Sequence, residues 1–490
     1  MTFLSLAYFL FLPAVFAVHW AAPPGWRWAT LLAASVWFVA SAAPVALVPL
    51  AAATLLAWVA GLAVERGGGS RWAGVLFAVG VAAPLGALAV FKYAGFAARV
   101  AGQAAGVCGF SMHPATLRLA LPLGISFWTF TIVSYLLDVR RRTIPAERHL
   151  GRFAAYILFF PKLVSGPIDR AGNFLPQLAG RGAFSRERAV LGLRQIALGI
   201  FRKAVVADYL ATFTDAAFGR PGRFNSSALF FAALLYSIQI YNDFAGYSDM
   251  AIGSARLLGM DLKDNFRAPV FARSLKDFWS RWHISLSTWF RDYVYIPLGG
   301  SRRGAWRTRF NLLATFVLSG LWHGAAWTFI VWGAVHGLAQ VAEKAFAPRK
   351  GAKVDALPPR RVRGAAGAVA GWSATFLVVT VAWVFFRADT LPAAWAYLVK
   401  MSRAWHSPVA GMARAFGQFS IGWGVAARMF IPMAALGMWD FVSLKRDPFA
   451  LTGRLPAVAR WLLHAAVVAA ILYVLLPQGA SSRDFIYFRF

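Results

Sequence analysis

The chain contains little cysteine and few charged residues. Its 490 residues include one cysteine, Cys108, which excludes an internal disulfide and any site built from several thiolates. The glycine- and alanine-rich surroundings of Cys108 favour packing over a nucleophilic role. Only 14% of the residues are charged, too few for the surface of an ordinary soluble domain. Acidic residues are the scarcest charged class, with 19 Asp and Glu against 50 Lys and Arg.

Long apolar runs take the place of the missing charge. The chain is 59% hydrophobic and 16% aromatic, and its mean hydropathy is positive. Runs long enough for a bilayer include Phe3–Trp20, Trp28–Val64, Trp72–Phe91, Leu117–Val139, Ala228–Met260, Ala365–Phe386 and Trp461–Pro477. The run Trp28–Val64 is long enough for two spans. The pattern predicts an all-α polytopic membrane protein with roughly 11 to 13 membrane-embedded helices, including re-entrant and interfacial ones. The first run has the length of a signal peptide, but no basic residue precedes it, and we expect a retained span.

The net charge of +31 raises the question of nucleic-acid binding. The basic residues lie between the apolar runs, within Arg140–Arg152, Arg170–Lys203, Arg267–Arg309 and Lys344–Arg363. Basic loops of this kind mark the cytoplasmic side of a membrane protein and contact anionic lipid head groups. We therefore expect membrane lipids, and no nucleic acid, as partners.

A single domain over residues 1–490 is the predicted organisation, since no internal repeat is evident. Its core, at about 117–345, carries the polar motifs. A polar linker at 344–363 separates that core from C-terminal helices at about 365–490. No metal-binding motif is present.

Two regions depart from plain spans. The run Phe159–Ile168 contains two prolines and a glycine, and it is too short to cross a bilayer, which predicts a broken or re-entrant segment. The second region, Ser274–Leu298, places aromatic side chains at helical spacing beside basic ones. This pattern predicts one amphipathic helix near the inner interface.

His323 is the most informative residue, because it interrupts the apolar run Asn311–Val341. An ionisable group at membrane depth indicates a functional site. The run has about thirty residues, roughly 45 Å as one helix, and about 20 suffice to cross. Both flanks are basic, so one interpretation is a hairpin that turns near Gly320–Gly324. The other is a single, steeply tilted helix, in which His336 would lie about 220° around the axis from His323.

Further polar residues accompany His323. The run Gln239–Met250 places Tyr241, Asp243, Tyr247 and Asp249 in apolar surroundings, which is too much polarity to face lipid. A second histidine, His283, follows Arg281 and Trp282. Each of these residues also has a structural interpretation as a buried hydrogen-bonding group.

Several longer motifs carry a family resemblance. They are Leu121–Phe127, Phe160–Pro167, Tyr241–Met250, Arg281–Ser287, Phe290–Gly300, Gly320–Ala325, Trp383–Arg387 and Phe485–Phe488. In this order they resemble the bacterial membrane-bound O-acyltransferase superfamily, in particular its alginate O-acetyltransferase branch.

The resemblance implies an O-acetyltransferase of the bacterial inner membrane. It implies a catalytic role for His323, with His283 close to the reaction centre. Binding of substrate would involve residues on three motifs, those around Asp243, His283 and His323: Tyr241, Asp243, Tyr247, Asp249, Arg281, Trp282, Ser319 and Trp322. Acetyl-CoA would serve as the donor, with no bound cofactor, although no glycine-rich phosphate loop is visible. The acetyl group would reach an exported polysaccharide such as alginate through an extracytoplasmic acetyltransferase partner.

The aromatic C-terminus, Asp484–Phe490, has two interpretations. It is either an interfacial anchor or an acyl carrier. The second follows from its resemblance to the terminal aromatic-tyrosine motif of a small partner peptide in the teichoic acid D-alanylation system. That resemblance implies Tyr487 as a nucleophile that accepts the acetyl group.

Two other functions remain open at the level of sequence. Broken helices and buried carboxylates also suit a transporter that exports polysaccharide or acyl donor without chemistry, although transporters often contain repeated halves. A distant acyltransferase of the same superfamily would retain the chemistry and acylate peptidoglycan, teichoic acid, a protein or a lipid.

Overall fold

The computed structural model describes residues 2–67, 69–109, 121–180, 182–346, 364–403, 408–475 and Phe485. Every regular element within these ranges is helical, which confirms the predicted all-α class. The chain forms two compact units. The first contains Met1–Gly199 and Tyr247–Lys263, and the second contains Ile200–Gly246 and Asp264–Phe490.

Within the described residues, the first unit contains nine α-helices and the end of a tenth. They are α1 (Leu6–Ala21), α2 (Arg27–Ala42), α3 (Leu47–Arg66), α4 (Arg71–Val107), α5 (Ile125–Arg140), α6 (Leu150–Leu158), α7 (Phe160–Leu163), α8 (Ala171–Ala179) and α9 (Arg186–Ile200). The long apolar run Trp28–Val64 forms two helices, as its length predicted, with the break at Ala43 and Pro44.

The second unit begins with a π-helix at Phe201–Ala207. Its α-helices in the first half are α10 (Asp208–Gly219), α11 (Ser226–Leu257), α12 (Leu275–Arg281), α13 (Ile284–Phe290) and α14 (Gly304–His323). The later ones are α15 (Trp327–Phe346), α16 (Ala365–Arg387), α17 (Leu391–Ser402), α18 (Pro408–Gln418), α19 (Trp423–Ser443), α20 (Pro448–Gly453) and α21 (Ala457–Leu475). The last turns of α11 belong to the first unit.

Six helices in the described ranges are long and apolar enough to cross a membrane: α3, α4, α11, α16, α19 and α21. The shorter α1 is apolar as well. The chain is therefore a multi-pass membrane protein. The larger expected number of helices included embedded helices that do not span, and that number stays a prediction.

The segment Phe159–Ile168 is broken, as its prolines predicted. Helix α6 ends at Leu158, and α7 is only four residues long. The segment is buried in protein, which is where irregular backbone is tolerated at depth. Its Phe160 N–H donates to the Ser35 hydroxyl over 3.1 Å. Gly124, at φ 67°, packs so closely on the Leu163 carbonyl that a Cβ would overlap it.

Candidate active site

Helices α14 and α15 form a tight hairpin in the second unit. Helix α14 ends at His323, Gly324 caps it in an extended conformation, and α15 begins at Trp327. Three glycines allow the two backbones to approach closely. A Cβ at Gly320 would overlap the Phe329 carbonyl oxygen, one at Gly333 would overlap that of Phe316, and Gly337 lies against Leu313. The hairpin interpretation is confirmed, and His323 lies at its turn.

His323 is surrounded by aromatic rings. Its side chain is buried, with the residue 4% exposed. The imidazole centroid lies 4.9 Å from the ring of Trp322, 4.9 Å from that of Trp332 and 5.5 Å from that of Phe386. Such surroundings have a low dielectric constant and favour a neutral imidazole over its cation. A neutral imidazole can accept a proton, which is the requirement for a general base.

His336 lies in the same aromatic cluster, because the hairpin reverses the chain between the two histidines. The Trp332 ring lies 5.0 Å from His336 and 4.9 Å from His323. The geometry expected for one continuous helix is therefore wrong. The Trp279 indole N–H donates a long hydrogen bond, 3.4 Å, to Nδ1 of His336, so a neutral His336 carries its proton on Nε2.

His283 lies between two short helices, α12 and α13, and not on a continuous helix. The prediction of one amphipathic helix over Ser274–Leu298 is wrong, since α12 ends at Arg281 and α13 begins at Ile284. His283 itself adopts the left-handed conformation, with φ 42°, which is rare for a residue with a Cβ. The periodicity of the aromatic residues continues across this break, so it did not reveal the break.

The His283 side chain is fully buried and points toward aromatic neighbours. Its ring lies 4.6 Å from Phe244 and 6.2 Å from Trp322. Trp322 therefore contacts both His283 and His323. Burial lowers the pKa of the His283 imidazole to about 3, and His283 lies outside the six candidate spans. Both histidines thus belong to one aromatic pocket, which we call the histidine pocket.

Asn265 fixes the backbone at His283, and sequence reasoning missed it. Its carbonyl accepts the Ile284 N–H over 2.9 Å. Its side-chain oxygen accepts the Ser285 hydroxyl over 2.8 Å and the Ser285 N–H over 3.3 Å. These bonds satisfy the first turn of α13, where His283 provides no side-chain cap. Asn265 resembles any loop asparagine in the sequence, so no local signal could have indicated its role.

The other residues expected to bind substrate near the histidines lie in the same unit. Trp282 packs against Phe278 and Trp383 at centroid distances of 5.5 and 5.1 Å. Ser319 is buried one turn before His323. Arg281 differs from them, because its guanidinium pairs with Asp277 on its own helix over 2.6 Å.

Tyr241 and Asp243 belong to a buried ionic network. Arg202 binds Asp440 at 2.6 Å, and the Tyr241 hydroxyl donates to the same carboxylate over 2.8 Å. The Lys203 ammonium binds Asp243 at 2.6 Å and Asp208 at 2.8 Å. Burial lowers the pKa of Lys203, but Asp243 and Asp208 outweigh burial and hold it above its ordinary value. Arg202 and Lys203 lie on the π-helix, an element that often marks a functional site.

Tyr247 and Asp249 belong to the first unit, whereas Tyr241 and Asp243 belong to the second. The Asp249 carboxylate accepts a 3.2 Å hydrogen bond from Gln195. The ring of Tyr247 lies 4.6 Å from that of Phe3. The polar motif of α11 therefore supplies side chains to two different units, and a substrate role for Tyr247 and Asp249 stays a prediction.

The C-terminal segment contributes one described side chain to the second unit. Phe485 is buried, and its ring lies 5.6 Å from Phe244, which in turn contacts His283. Tyr487 lies outside the described residues.

Comparison with known proteins identifies the family of the chain. The family model of the membrane-bound O-acyltransferase family matches residues 127–376, a range that includes His283, His323 and the network residues on α11. The chain is 38% identical to the probable alginate O-acetylase AlgI of Azotobacter vinelandii over 395 residues, 79% of this chain and 75% of that protein.

Two further relatives extend the comparison. The probable alginate O-acetylase AlgI of Pseudomonas putida is 38% identical over 446 residues, 89% of this chain and 81% of that protein. The peptidoglycan O-acetyltransferase of Helicobacter pylori is 35% identical over 308 residues, 58% of this chain and 57% of that protein. The chain belongs to the membrane-bound O-acyltransferase family, and it is an O-acyltransferase.

Proposed function

We propose that the protein transfers an acetyl group from cytoplasmic acetyl-CoA across the bacterial inner membrane, for O-acetylation of an exported polysaccharide such as alginate. An extracytoplasmic transferase partner completes the transfer. The names of the relatives from Azotobacter and Pseudomonas support this acceptor. The observation that carries the proposal is the burial of His323 among aromatic rings, at the turn between α14 and α15.

The proposed chemistry is acyl transfer with general acid–base catalysis. The oxygen of an acceptor hydroxyl attacks the carbonyl carbon of the thioester, and the imidazole of His323 takes the hydroxyl proton. The carbon–sulfur bond then breaks, and the same proton passes to the leaving thiolate. His283 orients or polarises the carbonyl, an interaction that burial in the aromatic pocket strengthens.

Tyr487 is the proposed first acceptor. Its phenol would receive the acetyl group, and the resulting aryl ester is activated for transfer to the extracytoplasmic partner. The support for this step is the burial of Phe485 against Phe244, which contacts His283. Phe485 thus lies next to a residue of the histidine pocket, and Tyr487 follows it two positions later in the sequence.

Reconstitution tests the proposed donor and separates an enzyme from a transporter. Purified full-length protein in proteoliposomes receives acetyl-labelled acetyl-CoA on one side, and both free thiol and label are measured. We expect thiol release matched by acetyl label on protein or acceptor, and neither with His323→Ala. Movement of intact donor without thiol release would support a transporter and contradict the proposal.

The Helicobacter pylori relative favours a second acceptor, since it is named a peptidoglycan O-acetyltransferase. Ester analysis of polysaccharide and of peptidoglycan, from cells with and without the protein, distinguishes the two acceptors. Loss of esters from peptidoglycan alone would show that peptidoglycan is the acceptor in place of the exported polysaccharide. The proposed chemistry would be unchanged.

A further inference from the structure

A large cavity lies in the first unit, where α3 ends, α4 begins and α5 ends. Its volume is about 650 Å³, in the range of small-molecule sites. The residues that line it and matter here are Glu65, Gly67, Gly69, Ser70, Arg140 and Arg142. None of them belongs to the motifs assigned to acyl transfer, so the cavity needs a separate explanation.

Two arginines line the cavity, Arg140 and Arg142. In the part of the chain that the structure describes, neither Arg140 nor Arg142 forms an ion pair. Arg140 lies 4.4 Å from the centroid of the Phe77 ring, which holds its side chain in place. Glu65 does not neutralise the two cations, because its oxygens accept the Ala146 N–H at 2.8 Å and face Arg148 at 3.8 Å.

Backbone donors add to this positive charge. Ser70 is the N-cap of α4, and its side chain makes no capping hydrogen bond to the first turn. The first N–H groups of a helix have no partner within the helix, and the helix dipole makes that end attractive to anions. The turn before it is closed by a 2.5 Å bond from the Ser70 N–H to the Gly67 carbonyl. The glycines of this turn do not have the spacing of a nucleotide-binding loop, so the sequence alone did not indicate a binding site here.

The position of the cavity indicates the kind of anion. Helices α3 and α4 are both candidate spans, so the cavity lies where a span meets the head-group region. The start of α4 also exposes apolar side chains, with Trp72 77% and Val75 45% exposed, as expected of a surface that contacts acyl chains.

We propose that this cavity is a binding site for a phosphate group of the size of an anionic phospholipid head group. Arg140 and Arg142 bind the phosphate oxygens through charge-assisted hydrogen bonds. The free N–H groups at the start of α4 provide further donors. Binding here does not depend on acyl transfer, so it is tested without any assay of activity.

A titration with fluorescent phosphatidylglycerol tests the site. Purified full-length protein in neutral detergent is titrated with the labelled lipid, and labelled phosphatidylcholine is the comparison lipid. We expect saturable binding of phosphatidylglycerol, weakened at least tenfold in the double variant Arg140→Gln/Arg142→Gln. The double variant Arg302→Gln/Arg303→Gln removes an equal charge from an exposed site in the second unit and should bind as the wild type does.

Competition identifies the source of the phosphate. Inorganic phosphate or coenzyme A at millimolar concentration is added to the lipid-bound protein. No displacement supports a phospholipid ligand, whereas displacement that requires Arg140 and Arg142 supports the same phosphate site with a soluble ligand. Equal binding of phosphatidylglycerol by the wild type and by Arg140→Gln/Arg142→Gln would overturn the proposal. The variants elute with the wild type on gel filtration if they are folded, as expected for exposed positions.

Discussion

The histidine pocket and the ionic network belong to the same unit and bury polar groups in opposite ways. In the histidine pocket, His323 and His283 are surrounded by aromatic rings. In the ionic network, Lys203 faces Asp243 and Asp208 at hydrogen-bonding distance. The network satisfies its charges internally, which is typical of a structural element. The pocket surrounds two imidazoles with aromatic rings, which suits the proposed role of His323 as a base.

Substitutions in the two regions should change different properties of the protein. Removing a neutral ring from the pocket leaves no buried charge behind. Removing one partner of the network leaves an uncompensated charge in a low dielectric environment. Activity per folded molecule and the amount of folded protein therefore report on different regions.

The largest effect on activity is expected at His323. His323→Ala removes the proposed base, and acetyl transfer should fall at least about 100-fold, with normal membrane insertion. Acetyl ester content of the exported polymer, normalised to folded protein, is the measurement. A normal acetyl content would show that His323 is not catalytic. The functional contrast between the two regions would then be wrong.

Tyr487→Phe should be nearly as inactive as His323→Ala. The phenylalanine retains an aromatic anchor and loses the hydroxyl that the proposed acyl carrier requires. Acetyl label on the wild-type chain, localised by peptide mass spectrometry and missing from the variant, is the direct readout. Wild-type activity in Tyr487→Phe would leave the C-terminal tail only an anchoring role.

His283→Ala should reduce acetyl transfer about 10- to 100-fold, less than His323→Ala. The expected cause is the loss of a group that orients the carbonyl, since burial keeps the His283 imidazole neutral. With a pKa of about 3 it does not titrate between pH 6 and 8. The wild-type rate profile in that pH range should therefore show no ionisation that disappears in His283→Ala.

Lys203→Met tests whether the ionic network mainly stabilises the fold. It leaves Asp243 and Asp208 buried without their cation, and we expect a loss of about 3–5 kcal/mol in stability, seen as several-fold less folded protein. Asp243→Asn is the matched variant, and its loss should be smaller because Lys203 retains Asp208. A drop in activity much larger than the drop in folded protein for Asp243→Asn would show that Asp243 acts on substrate.

The smallest effect on activity is expected for His336→Ala. His336 accepts a hydrogen bond from Trp279 and packs against Trp332, so its loss should lower stability by about 1–3 kcal/mol. Transfer per folded molecule should stay near the wild-type value. If His336→Ala were as inactive as His323→Ala, the ranking of the two histidines would be wrong.

Much of the fold follows from apolar run lengths and from prolines. The division of Trp28–Val64 and the broken segment at Phe159 were predictable, because each depends on a local property of the chain. The hairpin at Gly324 was one of two interpretations that the sequence left open. The break at His283 was not, since it depends on Asn265, whose bonds to the start of α13 form only in the folded protein. The division of the α11 motif between two units, after Gly246, was hidden for the same reason, because the neighbours of successive turns of one helix are set only by the folded protein.

The candidate histidines were recognisable from sequence, but their grouping was not. A spacing of thirteen residues places His336 far from His323 on one helix, and only the turn at Gly324 brings both rings to Trp332. The ionic network was hidden as well. Arg202 and Asp440 are distant in sequence, and nothing in either local context predicts their pairing.

The close glycine contacts between α14 and α15 have a consequence for how the protein is made. Two helices joined by a three-residue turn and fitted backbone to backbone at Gly320 and Gly333 can pack against each other as soon as both have been synthesised. His323 then lies beside Trp332 of the partner helix from an early stage of folding. We therefore expect a methyl group at Gly333 to lower the yield of folded protein, and not the activity of each folded molecule.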